Sequence, residues 1–157
     1  MGRRGLWLIA LALVALAAPA ACTGGGDSST SPSAPSSAAA GLDVSGSWRG
    51  TAEDNTGPGQ LAFQITQSNA GLSGTVTMTD TGTKTTGRGT LTGTLSGATI
   101  QLSIAIPAGG FDAPYASCST NVSGTAQVTS PTMTGTYTGT SSCFGNITSG
   151  TFTLKKE

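Results

Sequence analysis

From Val44 to Glu157 apolar and polar residues alternate with a period of two, and no window repeats at three and four. Side chains alternate across a strand but recur every 3.6 residues on a helix, so this stretch reads as strands throughout. Gln60 to Gln67 shows the pattern most plainly: Leu61, Phe63 and Ile65 share one face, and Gln60, Ala62, Gln64 and Thr66 the other. Such a strand has one buried face and one wet face.

Breaks at Asn55 to Gly59, Asn69-Ala70-Gly71, Ser96-Gly97 and Ser130-Pro131 divide the stretch into eight strands. These span about 46–53, 60–67, 72–79, 86–95, 99–106, 118–128, 133–141 and 148–155. Parity then gives the inward residues: Trp48, Leu61, Phe63, Ile65, Leu72, Val76, Met78, Leu91, Leu95, Ile100, Leu102, Ile104, Ile106, Val122, Ala126, Val128, Met133, Tyr137, Phe152 and Leu154.

Within the strands an apolar residue, a spacer and Gly-Thr recur, at Trp48 to Thr51, Leu72 to Thr75, Leu91 to Thr94, Val122 to Thr125 and Met133 to Thr136. In each, the glycine shares the face of the apolar residue. Glycine packs nothing and costs backbone entropy in a strand, so its repetition on the inner face needs a cause. Curvature supplies one, because closing a sheet on itself crowds its concave side. The competing reading is a Gly/Thr tract of low complexity with no closed form. The fold expected is all-β, a single small antiparallel up-and-down barrel over residues 44–157, preceded by a signal peptide and a disordered linker.

If Val128 faces Met133 across the turn at Ser130-Pro131, Ala126 falls opposite Gly135, Gly124 opposite Tyr137 and Val122 opposite Gly139. Cys118 then lies opposite Cys143, at the ~4.5 to 5.5 Å between α-carbons that suits a disulfide. Proline sits poorly as the second central residue of a type I turn, so a wider loop from Thr129 to Thr132 is expected. Closing a loop of about 25 residues contributes roughly 3 kcal/mol and implies an oxidising compartment.

The N-terminal part has a different composition. Arg3 and Arg4 precede an apolar run from Leu6 to Ala18, then Pro19-Ala20-Ala21 and Cys22. At about thirteen residues that run is short of the ~20 a membrane-spanning helix needs, and residues 1–21 read as a signal peptide. Ala18-Pro19-Ala20 fits a small-x-small cleavage site, whereas Ala21-Cys22 resembles the end of the lipobox of bacterial lipoproteins, in which Pro19 stands where that family usually has leucine. The lipoprotein resemblance implies lipidation of Cys22 (palmitate among the acyl chains), which becomes the mature N-terminus and anchors the chain in the cell envelope outside the cytoplasm. Two or more acyl chains give stable anchoring. Residues 22–43, mostly Gly, Ser, Thr, Pro and Ala, form a tether with an average reach of about 25 Å.

Gly46-Ser47-Trp48, the repeated Gly-Thr strands and Gly150-Thr151-Phe152-Thr153-Leu154 resemble the calycin group, which includes lipocalins and avidins, and more closely small bacterial lipoproteins proposed to share that barrel. The resemblance implies a plugging role for Trp48 at the closed end. Of the avidins' biotin-binding residues only Trp48 and Tyr137 have counterparts here, so biotin binding is not implied.

The chemistry left open is narrow. The chain has no histidine, which removes imidazole bases and ligands. Removing Arg3 and Arg4 with the leader leaves five basic against seven acidic residues, no field for nucleic acid. Glu53 and Asp54 point to opposite faces, Asp80 and Asp112 lie singly in loops, and all read as solvated charges. No cofactor or metal site is expected.

The segment 107–117 is the longest connection, carrying Phe111, Asp112 and Tyr115 before Cys118. Either its aromatics fold back to cap one barrel end, or they form the rim for an apolar guest. The function expected is a non-enzymatic, membrane-anchored domain binding a small apolar ligand or an envelope partner. The alternatives are a filled barrel acting as a structural or interaction lipoprotein, and a hydrolase using Asp80 or Asp112. Cys22→Ser should move the protein from the membrane to the aqueous fraction; a variant that stays membrane-bound on fractionation would refute the lipobox.

Overall fold

The computed structural model describes residues 41–157; the leader, Cys22 and the tether as far as residue 40 lie outside the described residues. Eight strands follow one another: β1 (Gly46–Asp54), β2 (Gly57–Ser68), β3 (Gly71–Asp80), β4 (Thr86–Ser96), β5 (Thr99–Ile106), β6 (Thr120–Thr129), β7 (Thr132–Ser141) and β8 (Gly145–Lys156). Each pairs antiparallel with the next, and β8 returns to β1 from Trp48↔Lys156 to Glu53↔Thr151, closing a barrel of calycin-like form. Closure leaves no strand edge unpaired.

The inner face follows the parity of the sequence. Sixteen of the inward residues named above are buried, while Met78, Leu95, Val122 and Tyr137 are half-buried against them. The repeated glycines explain how a narrow ring holds these side chains. Gly50 lies between Leu61 and Leu154, Gly74 between Ile65 and Leu91, Gly93 between Leu72 and Leu102, and Gly124 between Leu102 and Tyr137. A large residue thus faces an empty position on each neighbouring strand, the interdigitation a small closed sheet needs.

The neighbouring strands also come closest at these points. A Cβ on Gly74 would collide with the carbonyl of Gln64, one on Gly124 with that of Thr136, and one on Gly50 with that of Thr153. On Gly93 it would stand 2.6 Å from the Gln101 carbonyl oxygen, closer than real side chains come. The strands approach where only glycine leaves room.

The β6–β7 register is the one expected, with Val128↔Met133, Gly124↔Tyr137 and Thr120↔Ser141. Cys118 and Cys143 form a disulfide with their α-carbons 5.6 Å apart. The turn itself is narrower than expected. Thr129 pairs with Thr132, leaving two residues, and the Ser130–Pro131 peptide is cis, the geometry in which proline fits the third position of a tight turn.

The barrel ends differ. Three two-residue hairpins (Ser68 to Gly71, Ser96 to Thr99, Thr129 to Thr132) share one end with the start of β1 and the end of β8. There Trp48 is buried and its Nε1 donates to the Val44 carbonyl at 2.8 Å. The Gln67 side chain holds the approach to β1, accepting from Val44 N and donating to the Leu42 carbonyl. The Lys156 ammonium lies 5.8 Å from the centroid of the Trp48 ring. The opposite end carries the longer connections and is called the loop end below.

Replacing Gly74 with alanine should cost about 1–3 kcal/mol, the usual penalty of overpacking. Gly71→Ala, whose Cβ meets nothing closer than the Ser68 carbonyl at 3.4 Å, should stay within about 0.5 kcal/mol of the parent. Urea unfolding of both variants checks this, and equal midpoints would contradict the crowding.

Candidate functional site

At the loop end the inward faces of β1, β2 and β3 meet those of β5 to β8 around a cavity of about 70 Å³. Leu61, Phe63, Val76, Met78, Leu102, Ile104, Ile106, Val122, Ile147 and Phe152 supply its apolar lining, and Asp54, Thr56, Gln60, Asp80 and Tyr137 its polar side chains. Parity places most of these. Asp54 and Asp80 are the last residues of β1 and β3, the two strands that flank β2, and both fall on the inward side.

Tyr137 is held by the strand beside it. Its ring lies against Gly150 of β8, where a Cβ would collide with ring carbons. From there the hydroxyl donates to Asp54 Oδ2 at 2.8 Å. Asp54 Oδ1 accepts from the backbone and hydroxyl of Thr56 at 2.7 and 2.6 Å. Burial, together with the hydrogen bond to and negative charge of Asp54, pushes the Tyr137 phenol well above its ordinary 10.0. Tyr137 therefore stays a neutral donor. Asp80 Oδ1 accepts from the backbone and hydroxyl of Thr83 at 2.6 and 2.9 Å. The backbone bond is the main cause that lowers its carboxyl below the usual range.

Just beyond Tyr137 the β7–β8 ladder shifts register, with Tyr137↔Gly150 followed by Gly139↔Ile147. The extra residue falls near Ser149, whose φ of 56° is left-handed. The shift turns Ile147 inward, where strict alternation along β8 places it outside.

Trp48, read as a plug, sits at the opposite end, whereas Tyr137 lines the cavity. Phe111, Asp112 and Tyr115 are at the loop end but outside the cavity lining. Their segment folds back on the barrel. Phe111 forms a bridge with Gly87 and is buried against the inner side of β4, where a Gly87 Cβ would come within 2.6 Å of its ring. Asp112 pairs with Arg88 at 2.9 Å, and this bond above all lowers its carboxyl. Phe144, between the disulfide and β8, packs against Tyr115 and Phe111 with centroids 5.1 and 6.2 Å apart and remains 40% exposed. The disulfide thus ties an aromatic cover to the wall.

Two readings of the carboxylates need correction. Asp54 is not an isolated solvated charge but a partner of Tyr137, and Asp80 ends a strand rather than standing in a loop. Both line one cavity because strands separated by β2 run in the same direction and end together. Adjacent positions in the sequence could not reveal a pair made through a third strand. The chain matches no protein-family model, and no curated protein matches it.

The raised Tyr137 phenol has a sign that can be checked. Above about pH 10 an unfolded tyrosine loses its proton while the folded one keeps it, so the unfolded state binds fewer protons and stability falls as pH rises. Below that pH the contribution is fully present. Alkaline urea titrations should show a steeper loss for the parent than for Tyr137→Phe; parallel curves would refute the half-buried phenol–carboxylate bond.

Proposed function

We propose that this chain is an exported, lipid-anchored, non-enzymatic domain of the bacterial cell envelope that binds a small apolar group in the loop-end cavity. The cavity carries the reading: an apolar chamber with a few polar groups confined to one end is the usual form of a small-molecule site. Its size sets a limit. A cavity of about 150 Å³ takes benzene, so about 70 Å³ suits a short aliphatic group and not a lipocalin-sized guest. The disulfide supports an oxidising location, and the leader with Cys22 supports the anchor.

A second reading, an interaction lipoprotein with a filled barrel, draws on the packed half around Trp48, Met133 and Leu154, all buried. In that case partners meet the threonine-rich wall or exposed Phe144. Crosslinking in live cells that captures a discrete envelope protein on this wall, with an empty chamber, would favour it.

Xenon provides a ligand-independent test of the chamber, since dry apolar cavities take it up. Under xenon pressure, methyl resonances of Leu61, Val76 and Ile147 should shift and those around Val128 and Leu154 should not. Native mass spectrometry of protein from its own envelope should then show a small adduct. Unshifted cavity methyls together with an adduct-free spectrum would overturn the binding reading.

A further inference from the structure

The cavity has a charge as well as a size. Among the described residues its ionisable lining groups are two carboxylates and a phenol, Asp54, Asp80 and Tyr137, with no lysine or arginine. The neighbouring cations do not reverse this. Arg88 is taken by Asp112, Arg49 by Glu157, and Lys84 acts on Asp80 from an exposed turn as the weakest of the causes that lower its carboxyl. Glu53 faces outward beside Asp54.

The acceptors also have room for a donor. Asp54 receives its two Thr56 bonds on Oδ1 and the Tyr137 hydroxyl on Oδ2, and a carboxylate offers about four lone-pair sites. Thr83 donates twice to Asp80 Oδ1, while Oδ2 lies toward Gly57, 3.8 Å from where a Cβ there would stand. Because the phenol donates to Asp54, its own oxygen keeps lone pairs free to accept. An anionic ligand, a short fatty acid for instance, would set a third negative group against two.

Building on the cavity-binding reading above, we propose that the loop-end cavity selects a small primary alkylammonium, its alkyl group within the apolar chamber and its ammonium received by Asp54 and Asp80. The two parts match what the cavity offers. The chamber accepts an aliphatic group smaller than a benzene ring, and an ammonium brings three donors and no acceptor to a rim of oxygens. A partner's lysine side chain does not satisfy this arrangement, because its ammonium would enter first and meet the apolar floor of Phe63, Val76 and Phe152.

Three probes of similar length decide the matter: n-butylammonium, 1-butanol and n-butyrate, titrated into the purified full chain at neutral pH while the amides of Leu61, Met78 and Ile147 are followed by NMR. Butylammonium should bind about tenfold more tightly than butanol, and butyrate most weakly, the modest preference expected of partly exposed ion pairs. At 1 M salt, where the Debye length is about 3 Å, that preference should shrink several-fold. Asp54→Asn and Asp80→Asn should each weaken butylammonium about two- to fivefold, while the resonances around Trp48 and Leu154 at the packed end keep their parental positions, which shows that the variant is folded. Butanol or butyrate binding as well as butylammonium would overturn the charge selection while keeping the cavity as a binding site. Failure of all three probes would overturn both.

Discussion

Crowding inside a closed sheet of only eight strands is the constraint on which the rest of this molecule depends. Such a ring has space for about one layer of side chains across its bore. The chain meets it by placing glycine opposite leucine, isoleucine or tyrosine around the circumference, as at Gly50, Gly74, Gly93 and Gly124. Each large side chain then projects over a gap rather than against another. The same glycines let the strands approach where a Cβ would run into a neighbouring carbonyl. Threonine on the outer face keeps the strand extended and wettable, so closure needs little charge.

Closure divides the barrel into two unequal halves. Around Trp48 the bore is filled, and the segment leading into β1 seals it through Val44 and Gln67. At the loop end the side chains are no longer stacked so closely. Tyr137 leans across Gly150 toward Asp54, the shift in β8 brings Ile147 in, and a small chamber remains. The long β5–β6 connection covers a different part of that end, fixed by the disulfide and by the Phe111 and Phe144 contacts. The chamber and the aromatic cover are therefore separate features, and only the chamber combines apolar volume with polar groups.

The strands were legible because alternation with a period of two runs through seven of them and through β8 from Gly150 onward, and five repeated glycines on the inner face announced the curvature. The β6–β7 pairing followed from the same parity, and Cys118 met Cys143 as a consequence. Legibility failed where parity broke or where a contact skipped a strand. Ile147 was invisible because one extra residue near Ser149 reverses the alternation. Val44 lies before the first strand, buried where the Trp48 indole donates to its carbonyl, a contact between strand and lead-in that alternation does not encode. Phe144 gained its aromatic neighbours through a loop more than 25 residues away, which only the folded chain brings near.

What the amino-acid order determined by itself was the class of structure, since side-chain parity and glycine placement act locally and hold around the barrel apart from the shift near Ser149. The expectation of a leader and of lipidation at Cys22 rests on that order alone, because it is read from short contiguous motifs. The tertiary structure alone decided that Asp54, Asp80 and Tyr137 gather at one apolar chamber. Their distances in sequence are large, and their meeting depends on strand direction, on closure of β1 against β8 and on a register shift of one residue. Those are properties of the assembled sheet, in which each strand's position is set by both neighbours at once.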